Sequence, residues 1–272
     1  MQSPPAAGGQ VAFGGGGAAS SGTSVTSGAS GNTKTATWTQ IISSTAHHAD
    51  GIVVHLLRPG TAAVDIVVDI AFGGAGVEVI VAANLIVCNG TGAPAKGCAY
   101  HLPIQVPKGT RISAKSASNG SSIQCFVGVT LLSVLPGSVE PYQRVDTYGA
   151  RLTGGVQVDP GATANTKGAW SAIGTATQPV EGIIVGLGNR ASSAKSSVGF
   201  LLDVQVAFGG GSATLIPDYP LETSTNDDTI YPGCTPFLPF QCPTGGTINA
   251  RALCGGTVSP DRLFDVVVYA VS

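Results

Sequence analysis

The stretch VDIVVDIAFGGAGVEVIVAANLIV, residues 64–87, decides the fold class of this 272-residue chain. Two runs rich in β-branched residues, 64–72 and 77–87, flank the turn Gly73-Gly74-Ala75-Gly76. β-Branched side chains favour extended backbone, and glycine permits the positive φ angles that tight hairpin turns need. The stretch therefore predicts a β-hairpin, and residues 201–208 with the glycines that follow them predict a second one.

The rest of the chain follows the same pattern. In residues 248–254 apolar side chains occupy every second position, as expected of a strand with one buried face. Glycine, proline or β-branched residues interrupt every window that could form a helix. Short strands with turn signals about every 8–12 residues predict an all-β fold. We expect two tandem, duplicated β-sandwiches, with a jelly roll as the preferred topology.

The duplication is predicted from landmarks that recur in the same order, 132 to 136 residues apart. This spacing is typical of a repeated domain, because solenoid units are only about 20–50 residues long. The landmarks are Asn32-Thr33-Lys34 with Trp38 and Asn165-Thr166-Lys167 with Trp170, Ala71-Phe72-Gly73-Gly74 and Ala207-Phe208-Gly209-Gly210, and Leu102-Pro103 and Leu238-Pro239. We expect Trp38 to superpose on Trp170 and Phe72 on Phe208, and we interpret all four aromatic residues as core anchors.

The predicted domain boundaries follow from local composition. Residues 1–19 are mostly Gly, Ala, Ser and Pro and are predicted to form a flexible arm. The first β-sandwich is expected at 20–135 and the second at 151–272. A linker is predicted at 136–150, where two prolines and several charged residues contrast with the apolar strands on either side.

The composition of the chain argues against several classes of partner. Only 10% of the residues are charged, against the usual ~25%, and the net charge is −2. Nucleic-acid binding is disfavoured because no basic patch is evident. The sequence shows no signal peptide, and its apolar runs are too short for a transmembrane helix, so membrane insertion is not expected. A neutral surface protects weakly against association, and we therefore predict a homo-oligomer.

The six cysteines are expected to form two disulfides. Cys88 and Cys98 bracket a turn-rich loop that is easily closed, and a hairpin turning near residues 243–245 would bring Cys234 opposite Cys254. Cys125 and Cys242 lie in apolar strands and are interpreted as small buried thiols. A zinc site is disfavoured because no Cys-x-x-Cys pair occurs. Two disulfides would indicate that the mature protein works outside a reducing cytosol.

Residues with catalytic or metal-binding chemistry are few. His47, His48 and Asp50 form the densest cluster and could activate Ser43 or Ser44, but the corresponding segment near Glu181 has no histidine. Residues 226–228, Asn-Asp-Asp, have the oxygen chemistry of a calcium site, yet the further acidic positions of a calcium loop are missing. We therefore expect no catalytic residue, no metal site and no cofactor, and we predict that the protein is not an enzyme.

Four segments of the second repeat together carry a resemblance. They are residues 161–170, with the pattern Gly-Ala-x-x-Asn-Thr-Lys-Gly-Ala-Trp, residues 181–185, residues 208–210 and residues 238–243. In both copies the pattern resembles tandem β-sandwich structural proteins of tailed bacteriophage virions. The resemblance implies a head decoration, head spike, neck or tail-fibre subunit. It also implies that the chain is made in the host cytoplasm, assembles as a trimer or ring, and contacts capsid, neck or tail proteins.

Two functions remain open at this point. The first is a non-catalytic structural component of a phage virion that assembles through neutral polar surfaces. The alternative is a carbohydrate-binding adhesion module that contacts a host surface polysaccharide. Trp38 and Trp170 could stack on sugar rings, but their recurrence at the same register favours a role in the core.

Overall fold

The computed structural model describes nine ranges of the chain and residues 142 and 230. The ranges are 10–14, 22–57, 64–87, 98–132, 144–151, 154–189, 199–221, 233–255 and 263–272, with side chains left undescribed in 10–14 and at 189. All regular elements in these ranges are β-strands, so the all-β prediction is confirmed. Within the same ranges no helix is long and apolar enough to cross a bilayer.

The first nine strands, which we call the N-terminal half, form two antiparallel sheets. The strands are β1 (Gln10–Gly14), β2 (Thr23–Thr26), β3 (Thr39–Ile42), β4 (Gly51–Leu57), β5 (Ile66–Phe72), β6 (Val79–Ile86), β7 (Cys98–Leu102), β8 (Ile112–Ser118) and β9 (Gln124–Leu132). The first sheet has the order β1-β9-β4-β7, with β2 also paired to β9. The second sheet has the order β3-β8-β5-β6, and it contains the hairpin predicted from residues 64–87.

The remaining ten strands, which we call the C-terminal half, form two further antiparallel sheets. The strands are β10 (Val145–Tyr148), β11 (Val156–Val158), β12 (Ser171–Thr175), β13 (Val180–Asn189), β14 (Phe200–Phe208), β15 (Gly211–Leu221), β16 (Gly233–Cys234), β17 (Leu238–Cys242), β18 (Thr247–Cys254) and β19 (Phe264–Val271). The third sheet has the order β10-β19-β13-β16, with β11 on β19 and β17 on β13. The fourth sheet has the order β12-β18-β14-β15. Four antiparallel sheets are consistent with a β-sandwich architecture.

The second and fourth sheets share details of their register. In the β3–β8 pair the register shifts between Gln40 and Ile42, and in the β12–β18 pair it shifts between Ala172 and Gly174. The residue left over at each shift is a buried isoleucine, Ile41 or Ile173. A β-bulge of this kind lets one strand bend while its extra side chain stays in the core.

Two of the predicted segment assignments were wrong in part. The arm predicted at 1–19 contains β1, whose backbone pairs with β9. The linker predicted at 136–150 contains β10, which pairs with β19 over Val145–Tyr148. Composition misled the prediction in both places, because a short strand at the edge of a sheet gains its stability from the neighbouring strand rather than from its own residues.

The third sheet is buried on both faces, and this arrangement joins the two halves. Along β19, Val266 and Val268 point into the core of the C-terminal half, whereas Val267, Tyr269 and Val271 belong to the core of the N-terminal half. All eight residues of β19 are buried, which explains its nearly continuous apolar sequence FDVVVYAV. The outward face of the third sheet covers the side of the N-terminal half where the edge strands β6 and β7 lie. We call this contact the junction.

Candidate functional site

A buried carboxylate organises a group of charged residues in the C-terminal half, which we call the Asp203 cluster. Asp203 lies on β14 opposite Arg251 of β18, and its side chain is only 1% exposed. Its Oδ2 accepts hydrogen bonds from Lys167 Nζ at 2.7 Å and from Arg251 Nε at 2.9 Å. Lys167 Nζ also pairs with Asp218 Oδ1 at 2.7 Å. The cluster therefore contains two cations and two carboxylates, and its charges balance.

The charge states in this cluster are fixed by mutual contacts. Burial alone would raise the pKa of Asp203, but hydrogen bonds from the Asp218 amide, Lys167 and Arg251 hold that pKa below its ordinary value. Hydrogen bonds to Asp203 and then to Asp218 raise the pKa of Lys167. Both groups are thus ionised at neutral pH, and Asp203 keeps three donors in place: two side chains and the Asp218 backbone N–H, 2.8 Å from Oδ1.

A similar group occurs in the N-terminal half, which we call the Asp69 cluster. Asp69 lies on β5 and its side chain is 2% exposed. Lys34 Nζ donates to Asp69 Oδ2 and to Asn84 Oδ1, the latter at 2.8 Å. The Asn84 N–H donates to Asp69 Oδ1 at 2.8 Å, as the Asp218 N–H does to Asp203. Asn84 and Asp218 both have positive φ angles, 54° and 51°. The two clusters differ in the lysine's second partner, which is the Asn84 amide here and the Asp218 carboxylate in the Asp203 cluster.

The two tryptophans lie beside these clusters, not in the cores. Each is half-buried beneath a cation: Lys115 Nζ is 4.6 Å from the centre of a Trp38 ring, and the Arg251 guanidinium carbon is 4.3 Å from that of Trp170. A cation over an indole face is attracted by the ring quadrupole. The interpretation of Trp38 and Trp170 as core anchors is therefore corrected: each packs against a cation at a sheet surface.

The predicted pairing of Phe72 with Phe208 is also corrected. Phe72 is partly buried and lies opposite Ile112, but the residue opposite Ile248 is Val206. The fourth sheet's hairpin extends two residues further, so Phe208 lies near its tip with 55% of its surface exposed. The shared Phe-Gly-Gly sequence marks the turn in both hairpins, and the turn occurs at different distances from the core.

An open depression of about 590 Å³ lies over the Asp69 cluster. Its lining residues are Asn32, Lys34, Asn84, Ala117, Ala150 and Arg151. Four of these come from the N-terminal half, whereas Ala150 and Arg151 follow β10 of the C-terminal half. The depression therefore depends on the junction. Its polar groups can donate hydrogen bonds from two cations and two amides, which suits an anionic ligand with additional acceptors.

The junction itself is held by a tyrosine. Tyr269 on β19 donates its hydroxyl proton to the Asn84 carbonyl at 2.8 Å and accepts from the Ile86 N–H at 3.0 Å. Burial raises the pKa of this hydroxyl, so it remains a donor at all physiological pH values. Tyr100 on β7 packs edge-on against Tyr269, with ring centres 5.3 Å apart, and donates to the Ile86 carbonyl at 2.7 Å. These bonds satisfy backbone groups of β6 at an edge where no other strand of the described ranges pairs.

One prediction tests how tightly the junction tyrosine is packed. A Cβ at Gly186 would lie 2.7 Å from Tyr269 Cε2, on the strand beside β19. We expect Gly186→Ala to lower the free energy of unfolding by about 1–3 kcal/mol, because the ring has no space into which it can move. The matched control is Gly199→Ala, where a Cβ meets no atom within 4 Å. Denaturant unfolding of both variants checks this, and equal stabilities would contradict it.

One of the two predicted disulfides is not formed. Cys234 lies on β16 opposite Gly186 in the third sheet, whereas Cys254 lies on β18 opposite Phe200 in the fourth sheet. The predicted Cys234–Cys254 disulfide is therefore wrong: Cys234 Sγ instead donates to the Ala99 carbonyl of β7 at 3.2 Å, within the junction. Burial raises the pKa of the Cys234 thiol to about 12.

The predictions for the other cysteines have different outcomes. Cys88 lies outside the described residues, so the predicted Cys88–Cys98 disulfide remains a prediction. Cys98 is buried at the start of β7. Cys125 and Cys242 are 0% and 2% exposed, and their predicted burial is confirmed.

The residues considered from the sequence for catalysis or metal binding do not form a site within the described part of the chain. His48 Nε2 lies 3.0 Å from Asp50 Oδ1, in an exposed turn between β3 and β4, with half of the histidine side chain exposed. Residues 226–228 lie outside the described residues. Among the described side chains, no group of three or more histidine, cysteine or acidic residues is arranged to hold a metal ion.

The sequence patterns did not predict that the residues of the clusters and the depression form a site. A signal for the clusters was present: Lys34 and Lys167 are 133 residues apart, and Asp69 and Asp203 are 134 apart. A charged residue repeated within an apolar strand indicates a paired, buried charge. Nothing comparable points to Arg151, which reaches the depression only through the junction. No protein-family model matches the chain, and no curated protein matches it in sequence.

Proposed function

We propose that this protein is a non-catalytic structural component of a phage virion: a head decoration, head spike, neck or tail-fibre subunit. It would assemble as a trimer or ring and contact capsid, neck or tail proteins. The association with phages comes from the resemblance of its repeated motifs to tandem β-sandwich virion proteins. The assembling role has its own support in the surface of the molecule.

The observation that carries this proposal is the exposure of large apolar side chains on two hairpins. On the β5–β6 hairpin Val77, Val79 and Ile80 are 72%, 67% and 50% exposed, and on the β14–β15 hairpin Phe208 and Leu215 are 55% and 40% exposed. Large apolar side chains are unfavourable in water, and several of them exposed on one hairpin are a surface through which a protein can associate. With only 10% charged residues in the chain, few charges need to be desolvated when such surfaces meet.

Edge strand β15 favours association through side chains and not through added strands. It is the outermost strand of the fourth sheet and carries Pro217 and Pro220. Proline lacks the backbone N–H that a neighbouring strand would need, and natural proteins use it to protect sheet edges. A closed oligomer built on the apolar side chains of the hairpins is compatible with this edge.

We further propose that the two halves are a tandem duplication of one jelly-roll-like sandwich. The proposal is supported by the buried isoleucines at matching register shifts and by the paired Asp69 and Asp203 clusters, each with a lysine and a positive-φ residue. It is also supported by the tryptophan beneath a cation in each half. Two sandwiches of separate origin are not expected to share all of these details.

A variant of the C-terminal hairpin tests the assembling role. We expect Phe208→Ser with Leu215→Ser to weaken self-association at least about tenfold, because two exposed apolar side chains are removed from the contact. The control is Ser212→Ala with Thr214→Ser, which alters exposed polar residues of the same hairpin. Sedimentation velocity over a range of concentrations gives the association constants, and thermal unfolding shows that both variants are folded.

The sedimentation experiment shows whether the exposed apolar side chains of the hairpin mediate assembly. A wild-type chain that is monomeric at high micromolar concentration and shows no affinity for any particle component would contradict the proposal. Mass spectrometry of purified phage particles from the host that carries the gene tests the virion assignment directly.

A second candidate function, carbohydrate binding, is favoured by the depression over the Asp69 cluster. Its donors face an open space whose volume lies within the usual range of about 300–1,000 Å³ for ligand sites. The two functions are compatible, because the depression and the β14–β15 hairpin use different residues.

A further inference from the structure

The depression carries an excess of positive charge. Two of its lining residues, Lys34 and Arg151, are cations. The carboxylate that contacts Lys34 is Asp69, which is almost completely buried beneath the lysine. Asn32 and Asn84 add amide groups without charge. The surface of the depression therefore presents about one positive charge more than the buried carboxylate compensates.

The Asp203 cluster shows what would neutralise this charge. There the lysine is held by two carboxylates, Asp203 and Asp218, each 2.7 Å from Lys167 Nζ. In the Asp69 cluster the second position is Asn84, whose φ angle of 54° is close to the 51° of Asp218. An aspartate would fit at this position, since one occupies it in the other cluster. The amide leaves Lys34 with capacity for a further anionic partner.

We propose that the depression binds a carboxylate-bearing sugar, such as a uronic acid unit of an acidic polysaccharide. The inference rests on the second candidate function and identifies its ligand class. One carboxylate matches the single surplus charge, and a sugar supplies hydroxyl groups for the amides. The lining residues include no aromatic ring, so a nucleobase would find no face to stack on.

The roles of the side chains follow from their contacts. Lys34 Nζ has three donor positions, of which Asp69 and Asn84 take two, so one remains for a ligand carboxylate. Arg151 offers a planar guanidinium that can hold a carboxylate with two parallel hydrogen bonds. The Oδ1 of Asn84 already accepts from Lys34, which leaves its Nδ2 to donate to a sugar oxygen. Because Lys34 is one-third exposed, the interaction will weaken with salt.

The test is a titration of the full chain with a tetramer of galacturonic acid. Calorimetry measures the affinity, and NMR shifts of the backbone amides locate the site. We expect shifts concentrated around Asn84 and Arg151. Asn84→Asp should weaken binding at least about tenfold, because it supplies the carboxylate that Lys34 otherwise takes from the ligand. Arg151→Gln should weaken it similarly. Asp218→Asn, the reciprocal change in the Asp203 cluster, should leave the affinity for the tetramer within about twofold.

Further probes distinguish the ligand class from simple charge. The methyl ester of the tetramer has the same sugars without charge, and we expect it not to bind in the depression. Inorganic phosphate at the same concentration should bind more weakly than the tetramer. Equal binding of the ester or of phosphate, or an affinity unchanged in both Asn84→Asp and Arg151→Gln, would overturn the proposal. Binding of the ester with shifts elsewhere would overturn this site while retaining carbohydrate binding, and no binding of any sugar would exclude both.

Discussion

Replacing Tyr269 by alanine is expected to lower the free energy of unfolding by about 4–5 kcal/mol, among the largest effects of any single substitution in the chain. The ring is fully buried between the halves, so its removal leaves a cavity in the core of the N-terminal half. The Ile86 N–H and the Asn84 carbonyl also lose their partner in a place that water does not reach easily. Denaturant unfolding measures the loss.

Two milder variants separate the ring from its hydroxyl. Tyr269→Phe keeps the packing and should cost about 1–3 kcal/mol, because two buried backbone groups are left without a partner. Tyr100→Phe removes the hydrogen bond to the Ile86 carbonyl and should cost about 1 kcal/mol. If Tyr269→Ala were no worse than Tyr100→Phe, the junction would not depend on Tyr269.

Replacing Asp203 by alanine is expected to cost about 2–4 kcal/mol. Breaking a buried ion pair by removing one partner usually costs about 3–5 kcal/mol, and the lower value applies here because Lys167 and Arg251 are each 28% exposed and can regain water. The Asp218 N–H also loses its acceptor. The control is Asp218→Asn, which removes the charge of a side chain that is 55% exposed and keeps a residue type that tolerates a φ of 51°, and which should cost less than about 1 kcal/mol.

The pH dependence of stability gives an independent check on Asp203. Its pKa in the folded protein is below the ordinary value of about 3.9. A group with a lowered folded pKa stabilises the fold fully above its unfolded pKa, and this contribution is lost as pH falls through the folded pKa. Wild-type stability should therefore decline below about pH 4, and Asp203→Asn should show a shallower decline. Identical acid profiles would mean that Asp203 is not stabilised by its partners.

The sequence predicted the fold class because periodicity is a local property. The β5–β6 hairpin has strands rich in β-branched residues around a glycine turn, and the folded structure follows this local preference. Alternation cannot reveal how far a hairpin extends beyond the core, however, and the shared Phe-Gly-Gly turn therefore misled the pairing of Phe72 with Phe208. The Cys234–Cys254 prediction failed for a related reason. A turn near residue 243 was correctly expected, but the strand before it pairs with β13 instead of β18.

The candidate site could not be predicted from local sequence patterns. Asn32, Asn84 and Arg151 come from three distant segments, and they meet only because the third sheet covers the edge of the N-terminal half. The one local signal for that arrangement was the sequence of β19, whose apolar residues do not alternate with polar ones. An uninterrupted apolar strand in an otherwise alternating protein indicates burial on both faces.

The position of β19 also determines when the protein can finish folding on the ribosome. It follows every other described strand in the sequence, yet it lies within the third sheet and supplies Tyr269 to the N-terminal half. While the nascent chain is being extended, the Ile86 N–H and the Asn84 carbonyl at the β6 edge lack their partner Tyr269 for at least as long as residues 133–263 take to emerge. At about 5–20 residues per second, that interval lasts roughly 7–26 seconds. During this time neighbouring nascent chains on one polysome can meet at that edge, and slower translation would increase the risk of such mispairing.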